Sequence, residues 1–175
     1  MNRNSIAFIL LTIVIASCGD NGESTLFKIR TGPELGIDFK NTIVTNDTFN
    51  AVTYEYIYNG SGVGVGDFNN DGLQDLFFGG NQVPSQLYIN KGKLHFTNGT
   101  EKSKIATHSW VTGVSLVDIN RDGLLDIYLC VAGKVPAEQR RNLLFINQGI
   151  NDGIPSFIES SKSYGLDDDR YATMS

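Results

Sequence analysis

Sulfur, proline, histidine and positive charge are all scarce in this sequence. Two cysteines, Cys18 and Cys130, stand among 175 residues. No disulfide framework can be built from them, so an exported fold of this composition needs another staple. Four prolines are set against 19 glycines, and glycine-marked turns between short apolar runs favour an all-β fold. The 14 Lys and Arg are outnumbered by 19 Asp and Glu, giving a net charge of −5. No basic stripe is present, which argues against nucleic acid as a partner. Only two histidines occur, His95 and His108. Neither joins a zinc spacing or a Ser/His/Asp set; with Arg140 and Arg141 they are the only candidates for polar chemistry, so the reading is non-catalytic. Hydrophobic residues make up 41% and charged residues 19%, a globular composition.

What is present is an acidic motif, twice. Asp67-Phe68-Asn69-Asn70-Asp71-Gly72-Leu73-Gln74-Asp75 returns 51 residues later as Asp118-Ile119-Asn120-Arg121-Asp122-Gly123-Leu124-Leu125-Asp126. The shared pattern D-x-N-x-D-G-x-x-D offers side-chain oxygens at positions 1, 3, 5 and 9 and a backbone carbonyl at 7. Calcium takes about six to eight oxygens from a flexible loop, and Gly at position 6 allows the sharp bend. The competing reading is an acidic turn in which Asp and Asn cap their own backbone without metal. Six of the acidic residues lie in these two loops. An EF-hand is excluded, because it needs a glutamate at position 12, where Phe78 and Leu129 stand.

The flanks repeat as well. Gly62-Val63-Gly64-Val65-Gly66 and Gly113-Val114-Ser115-Leu116-Val117 precede the loops. No nucleotide-binding helix follows these glycines, and small residues in a strand mark a close approach of backbones. Leu76-Phe77-Phe78 and Ile127-Tyr128-Leu129 are predicted second strands. Leu87–Asn90 and Leu144–Asn147 are predicted third strands, now 57 residues apart, so the second repeat carries an insertion placed at Lys134–Arg141. Phe96-Thr97 and Phe157-Ile158 are fourth strands, with His95 expected inside the first of them, and Tyr171-Ala172-Thr173 repeats Trp110-Val111-Thr112. Four-stranded units at this period describe propeller blades. The predicted fold is all-β, a partial β-propeller of about two four-stranded antiparallel blades and the start of a third.

The expected organisation is a signal peptide at 1–17, a tether at 18–35, N-terminal strands at 36–60, repeats at 61–109 and 110–170, and the opening of another repeat at 171–175. In the N-terminal part Val52, Tyr54, Tyr56 and Tyr58 alternate with Thr53, Glu55 and Ile57, and a period of two predicts a strand. Its tyrosine row is either a packing face or a carbohydrate-stacking face. Closed propellers have about four to eight blades, so the rest of a longer chain is expected.

At the start, a run of ten residues from Ile6 to Ile15 is too short for a membrane span, which takes ~20 residues, and suits an export signal. Ile15-Ala16-Ser17-Cys18 resembles the lipobox of bacterial lipoproteins. The resemblance implies cleavage before Cys18, a lipid on its sulfur, and membrane anchoring; the acidic stretch that follows is similar to signals for the outer membrane and cell surface. Cys130 reads as a buried thiol in an apolar strand.

The loops and their flanks resemble the FG-GAP/VCBS repeat, with Phe78-Gly79-Gly80 similar to its FG element. Gly36-Ile37-Asp38-Phe39, the Tyr-Ile-Asn-Lys-Gly and Phe-Ile-Asn-Gln-Gly turns, and Tyr164-Gly165-Leu166 resemble the exported group that often ends in an ASPIC/UnbV domain and is related to cartilage acidic protein. The resemblance spans about residues 36 to 175. It implies integrin-like propeller blades with calcium in each hairpin loop. Asp67, Asn69, Asp71 and Asp75 would bind through side chains and Leu73 through its carbonyl; Asp118, Asn120, Asp122, Leu124 and Asp126 would do the same. The function expected is a calcium-stabilised, non-catalytic binding scaffold at the cell surface for protein or glycan. A polysaccharide-degrading enzyme and a structural spacer in a larger exported protein are the alternatives.

Overall fold

The computed structural model describes residues 26–173. The signal segment and Cys18 lie outside the described residues. Residues 26–30 carry no helix or strand, and the chain from Thr31 onward forms a compact unit.

That unit holds two four-stranded antiparallel sheets, each with its strands in chain order. The first comprises β1 (Val63–Gly66), β2 (Asp75–Phe78), β3 (Gln86–Asn90) and β4 (Phe96–Asn98). The second comprises β5 (Val111–Val117), β6 (Asp126–Val131), β7 (Leu143–Asn151) and β8 (Ile154–Glu159). The acidic loops are the β1–β2 and β5–β6 connections. The sheets do not close on themselves, and the architecture is that of partial propeller blades. Short helical turns interrupt the β pattern: α1 (Gly32–Leu35) within the expected tether, and α2 (Thr100–Ser103) and α3 (Ser161–Tyr164), one after each fourth strand. A 3-10 turn at Ala137–Gln139 occupies the expected insertion between β6 and β7.

Register follows from burial. Gly64 faces Phe77 and Phe77 faces Leu87, which places these side chains on one face, toward the second sheet. The core between the sheets is built from Phe68, Phe77, Leu87 and Ile89 on one side and Val111, Ile127, Leu129 and Phe145 on the other, with Phe157. Phe68 and Phe157 meet edge to face at 6.3 Å. The small residues in and just before β1 are required by this stacking: a Cβ on Gly62 would lie 2.6 Å from the Val114 nitrogen, and one on Gly66 2.7 Å from Leu125 Cδ1.

Two expectations need correction. The N-terminal part, residues 36–60, holds no strand. Asn46 Oδ1 accepts from the N–H of Thr48 and of Phe49, both at 2.9 Å, and Asn50 Oδ1 from Val52 N–H at 2.9 Å. Such side-chain bonds satisfy the backbone locally and compete with a ladder. Alternation therefore fails at 52–58: the buried member is Ile57, while Val52, Tyr56 and Tyr58 are exposed. The segment docks through side chains. Asn41 and Asn81 exchange hydrogen bonds of 2.7 and 3.1 Å, the Gln82 amide pairs with the backbone of Val44, and Tyr88 hydroxyl reaches Asp38. His95, expected in a strand, instead ends the β3–β4 turn; Lys93 and Leu94 before it have φ of 54° and 59°, a left-handed pair that reverses the chain before Phe96 begins β4.

Candidate functional site: paired acidic loops

In an antiparallel sheet with strands in chain order, the β1–β2 and β3–β4 connections share one end. The acidic loops are the β1–β2 and β5–β6 connections, and Asn70 Nδ2 of the first donates to Gly123 O of the second at 3.1 Å, so both lie at a common end of the two sheets. Asn70 in the first loop and Arg121 in the second adopt left-handed conformations (φ 54° and 61°), followed by Gly72 and Gly123 (φ 84° and 83°). The two loops have the same backbone.

Their hydrogen bonds repeat atom for atom. Asp67 accepts from Asp71 N–H (3.1 Å) and Gly72 N–H (2.8 Å); Asp118 accepts from Asp122 and Gly123 N–H, both at 3.0 Å. Asn69 and Asn120 donate through Nδ2 to Asp71 and Asp122, at 2.9 and 2.8 Å. Asp71 and Asp122 accept from Leu73 and Leu124 N–H, at 2.9 and 2.8 Å.

The last aspartate of each loop is buried, and ties its loop to the third strand. Asp75 accepts from Phe68 N–H (3.0 Å) and Asn90 N–H (2.8 Å); Asp126 accepts from Ile119 N–H (3.0 Å) and Asn147 N–H (2.8 Å). Burial pushes the Asp75 carboxyl up to about 6, against the lowering effect of the two N–H donors; Asp71 and Asp67 add repulsion that raises it further. Burial raises Asp126 in the same way, with Asp122 and Asp118 adding to it.

Asn90 and Asn147 are site residues that motif reading passed over. Each donates its side-chain amide to the residue before the last aspartate, Gln74 O at 3.0 Å and Leu125 O at 3.3 Å, and each accepts from the glycine two residues on. The signal was present in the matched Ile-Asn-x-Gly turns, 57 residues apart. Contacts also cross between the repeats: Asn69 Nδ2 donates to Gly153 O (2.9 Å), Asn70 Nδ2 to Gly123 O (3.1 Å), and Asn147 Nδ2 to Phe68 O (3.0 Å).

All ten predicted ligand residues thus sit in these two loops. As arranged, the carboxylates point at backbone N–H groups of their own loops, and no group of three His, Cys, Asp or Glu among the described residues is disposed to hold a metal ion. The donor chemistry nonetheless fits a hard divalent cation: each loop supplies only oxygens, from three carboxylates, an amide and a carbonyl. Among the described residues none of these carboxylates is in an ion pair, and Arg121 inside the second loop pairs with none of them. Among the described residues the ion pairs join Arg141 to Asp167 and Asp169, and Arg170 to Asp168.

The polar residues weighed for catalysis are dispersed. His95 ends the β3–β4 turn, and His108 lies between α2 and β5. In the β6–β7 insertion, Arg140 donates to Val135 O at 2.6 Å and lies 4.2 Å over the Tyr171 ring, while Arg141 pairs with Asp167 at 2.8 Å. Cys130 is buried in β6.

Residues 67–129, from the first acidic loop through the second, match the family model of the FG-GAP-like repeat. No curated protein matches the chain.

Proposed function

We propose, from the premise of an FG-GAP-like repeat at residues 67–129, that this protein is a calcium-stabilised, non-catalytic binding scaffold on the cell surface. Such repeats are typical of extracellular and surface proteins. The observation that carries the calcium reading is the duplication of one hydrogen-bond scheme in two acidic loops whose carboxylates take part in no ion pair among the described residues. Asp67, Asn69, Asp71, Asp75 and the Leu73 carbonyl would hold one ion; Asp118, Asn120, Asp122, Asp126 and the Leu124 carbonyl would hold the other. The ion would supply charge neutralisation. At an effective dielectric near 20, two carboxylates ~4 Å apart repel by about 4 kcal/mol, and removing that repulsion fixes the loop that joins the first two strands of each sheet.

Calorimetric titration with calcium tests this directly. Two binding events are expected, and chelator should lower the melting temperature. Asp71→Ala with Asp122→Ala should abolish both responses. A wild-type protein indifferent to calcium and chelator would sink the reading.

Surface anchoring by a lipid on Cys18 is part of the same proposal. Among the described residues no helix is long and apolar enough to cross a membrane. In a bacterial host, the protein should enter the detergent phase of a Triton X-114 partition, and Cys18→Ser should move it to the aqueous phase. Equal partition of the two forms would remove the anchor from the proposal.

A further inference from the structure

The end of the sheets opposite the acidic loops carries a cavity of about 930 Å³. Small-molecule sites span about 300–1,000 Å³. One wall is the turn-rich segment around Val52–Gly60; the other is formed by the start of β5, the exit of β6, and Tyr171.

Its floor is Trp110, the single tryptophan of the chain, only 8% exposed. Phe49 and Tyr54 hold it in place, each meeting the indole edge-on, at 5.6 and 5.7 Å. Its rim is Tyr56 and Tyr171, residues that remain 56% and 65% exposed. Neither ring is loose. Tyr56 meets Tyr54 edge-on at 6.1 Å, and Tyr171 lies beneath the Arg140 guanidinium. Thr112 hydroxyl donates to Ala172 O at 2.7 Å and so pins the chain beside Tyr171. Lys134 Nζ donates to Thr53 O at 3.2 Å, joining the two walls.

The lining also includes residues with hydrogen-bonding groups of both kinds: Glu55, Asn59 and Lys134. An acid and a base cancel, so neither an anionic nor a cationic ligand is selected. A wholly apolar ligand would bury these groups without partners, which is costly. A ligand with flat C–H faces and a ring of hydroxyls meets both demands: its faces lie on pre-positioned aromatic rings and its edges bond to the polar groups.

We infer that the cavity bounded by Tyr56, Trp110, Tyr171 and Lys134 binds a neutral glycan. The inference rests on the binding-scaffold reading and gives it a site and a ligand class.

The test uses the full chain in calcium-containing buffer, with cellohexaose, xylohexaose, mannohexaose and laminarihexaose as probes. Binding is followed by calorimetry and by Trp110 fluorescence. At least one sugar should bind saturably and shift the emission. Tyr56→Ala and Tyr171→Ala should each weaken that binding about tenfold with the melting temperature unchanged, while Tyr56→Phe should retain it. Silence toward all four sugars overturns the inference. So does sugar binding that survives both alanine substitutions, although the scaffold reading then stands with its site elsewhere. A proline-rich peptide that binds in a Tyr56- and Tyr171-dependent way, with no sugar bound, overturns the ligand class and keeps the scaffold. If no sugar binds and a pull-down from secreted material retains nothing, both readings fall.

Discussion

The two acidic loops share a sequence pattern, a backbone and a hydrogen-bond scheme, but not an environment. In the first, Phe68 is fully buried between the sheets and Asn69 is nearly so; in the second, Ile119 is half-buried and Asn120 exposed. The two loops are tied to each other by Asn70 and Gly123 O, and the first is held in addition by the β7–β8 turn through Gly153 O. The second has no equivalent cover among the described residues. The lesson is that the motif specifies the bonds inside each loop, whereas packing decides how firmly the loop is held.

That comparison can be broken first at the last aspartates. Asp75→Ala leaves the N–H groups of Phe68 and Asn90 without acceptors in the interior. At about 1–3 kcal/mol for each buried unsatisfied donor, urea denaturation should show a loss of about 2–6 kcal/mol. Asp126→Ala should cost less, because Ile119 is half-open to solvent. Equal losses would mean that packing does not distinguish the loops.

Calcium should sharpen the difference. A site at ~100 times its dissociation constant adds about 2.7 kcal/mol of stability. The better-held first loop should bind more tightly, so Asp71→Ala should remove the high-affinity step of a titration and Asp122→Ala the weaker one. The reverse assignment would show that exposure, not preorganisation, sets affinity.

Acidity gives a further handle in calcium-free buffer. The folded-state pKa of Asp75 is raised above the unfolded value of an ordinary aspartate. Between those values the native state binds more protons than the unfolded one, so stability must fall as pH rises. The window runs from about 4 to about 6, and Asp126 acts in the same direction. Chelated protein should therefore melt at progressively lower temperature across that window through these two groups, and Asp75→Asn should flatten much of the slope. A slope of opposite sign in wild type that Asp75→Asn leaves unchanged would contradict the assignment to Asp75.

The smallest effect belongs to position 3 of the loops. Asn69→Ala loses a bond to another element, Gly153 O, in addition to two bonds within the loop. Asn120→Ala loses only the two bonds within the loop. The first should be the more destabilising by about 1 kcal/mol, the usual net worth of one hydrogen bond, in parallel thermal melts.

The sheets were legible because each strand repeats and each repeat is anchored by a local motif. Leu76–Phe78, Leu87–Asn90 and Phe157-Ile158 are strands in the sequence and in the structure. The ligand pattern was legible for the same reason, since its residues are close neighbours in the chain. The segment before the repeats was misread because Asn46 and Asn50 bond to backbone two and three residues on, an effect that apolar alternation does not register. The short helices after the fourth strands were missed too, at four residues each, too brief to carry a period. The cavity around Trp110 was invisible, because Phe49, Tyr54, Lys134 and Tyr171 come from distant parts of the chain. The row of tyrosines was visible, but its geometry is that of a turn and not of a flat strand.

The glycines of β1 also set an angle. Across the inner face of the first sheet, side-chain volume climbs from Gly64 to Phe77 and Leu87, so the sheets nearly touch at β1 and spread apart toward β3. Each sheet is a wedge, thin at its first strand, and wedges stacked by their flanks trace an arc. The taper of a few residues therefore fixes the curvature at which one repeat follows another. Gly64→Val would blunt the thin edge, since a Cβ there already meets Leu116 and Val114 at 3.0 and 3.1 Å, and would straighten the arc.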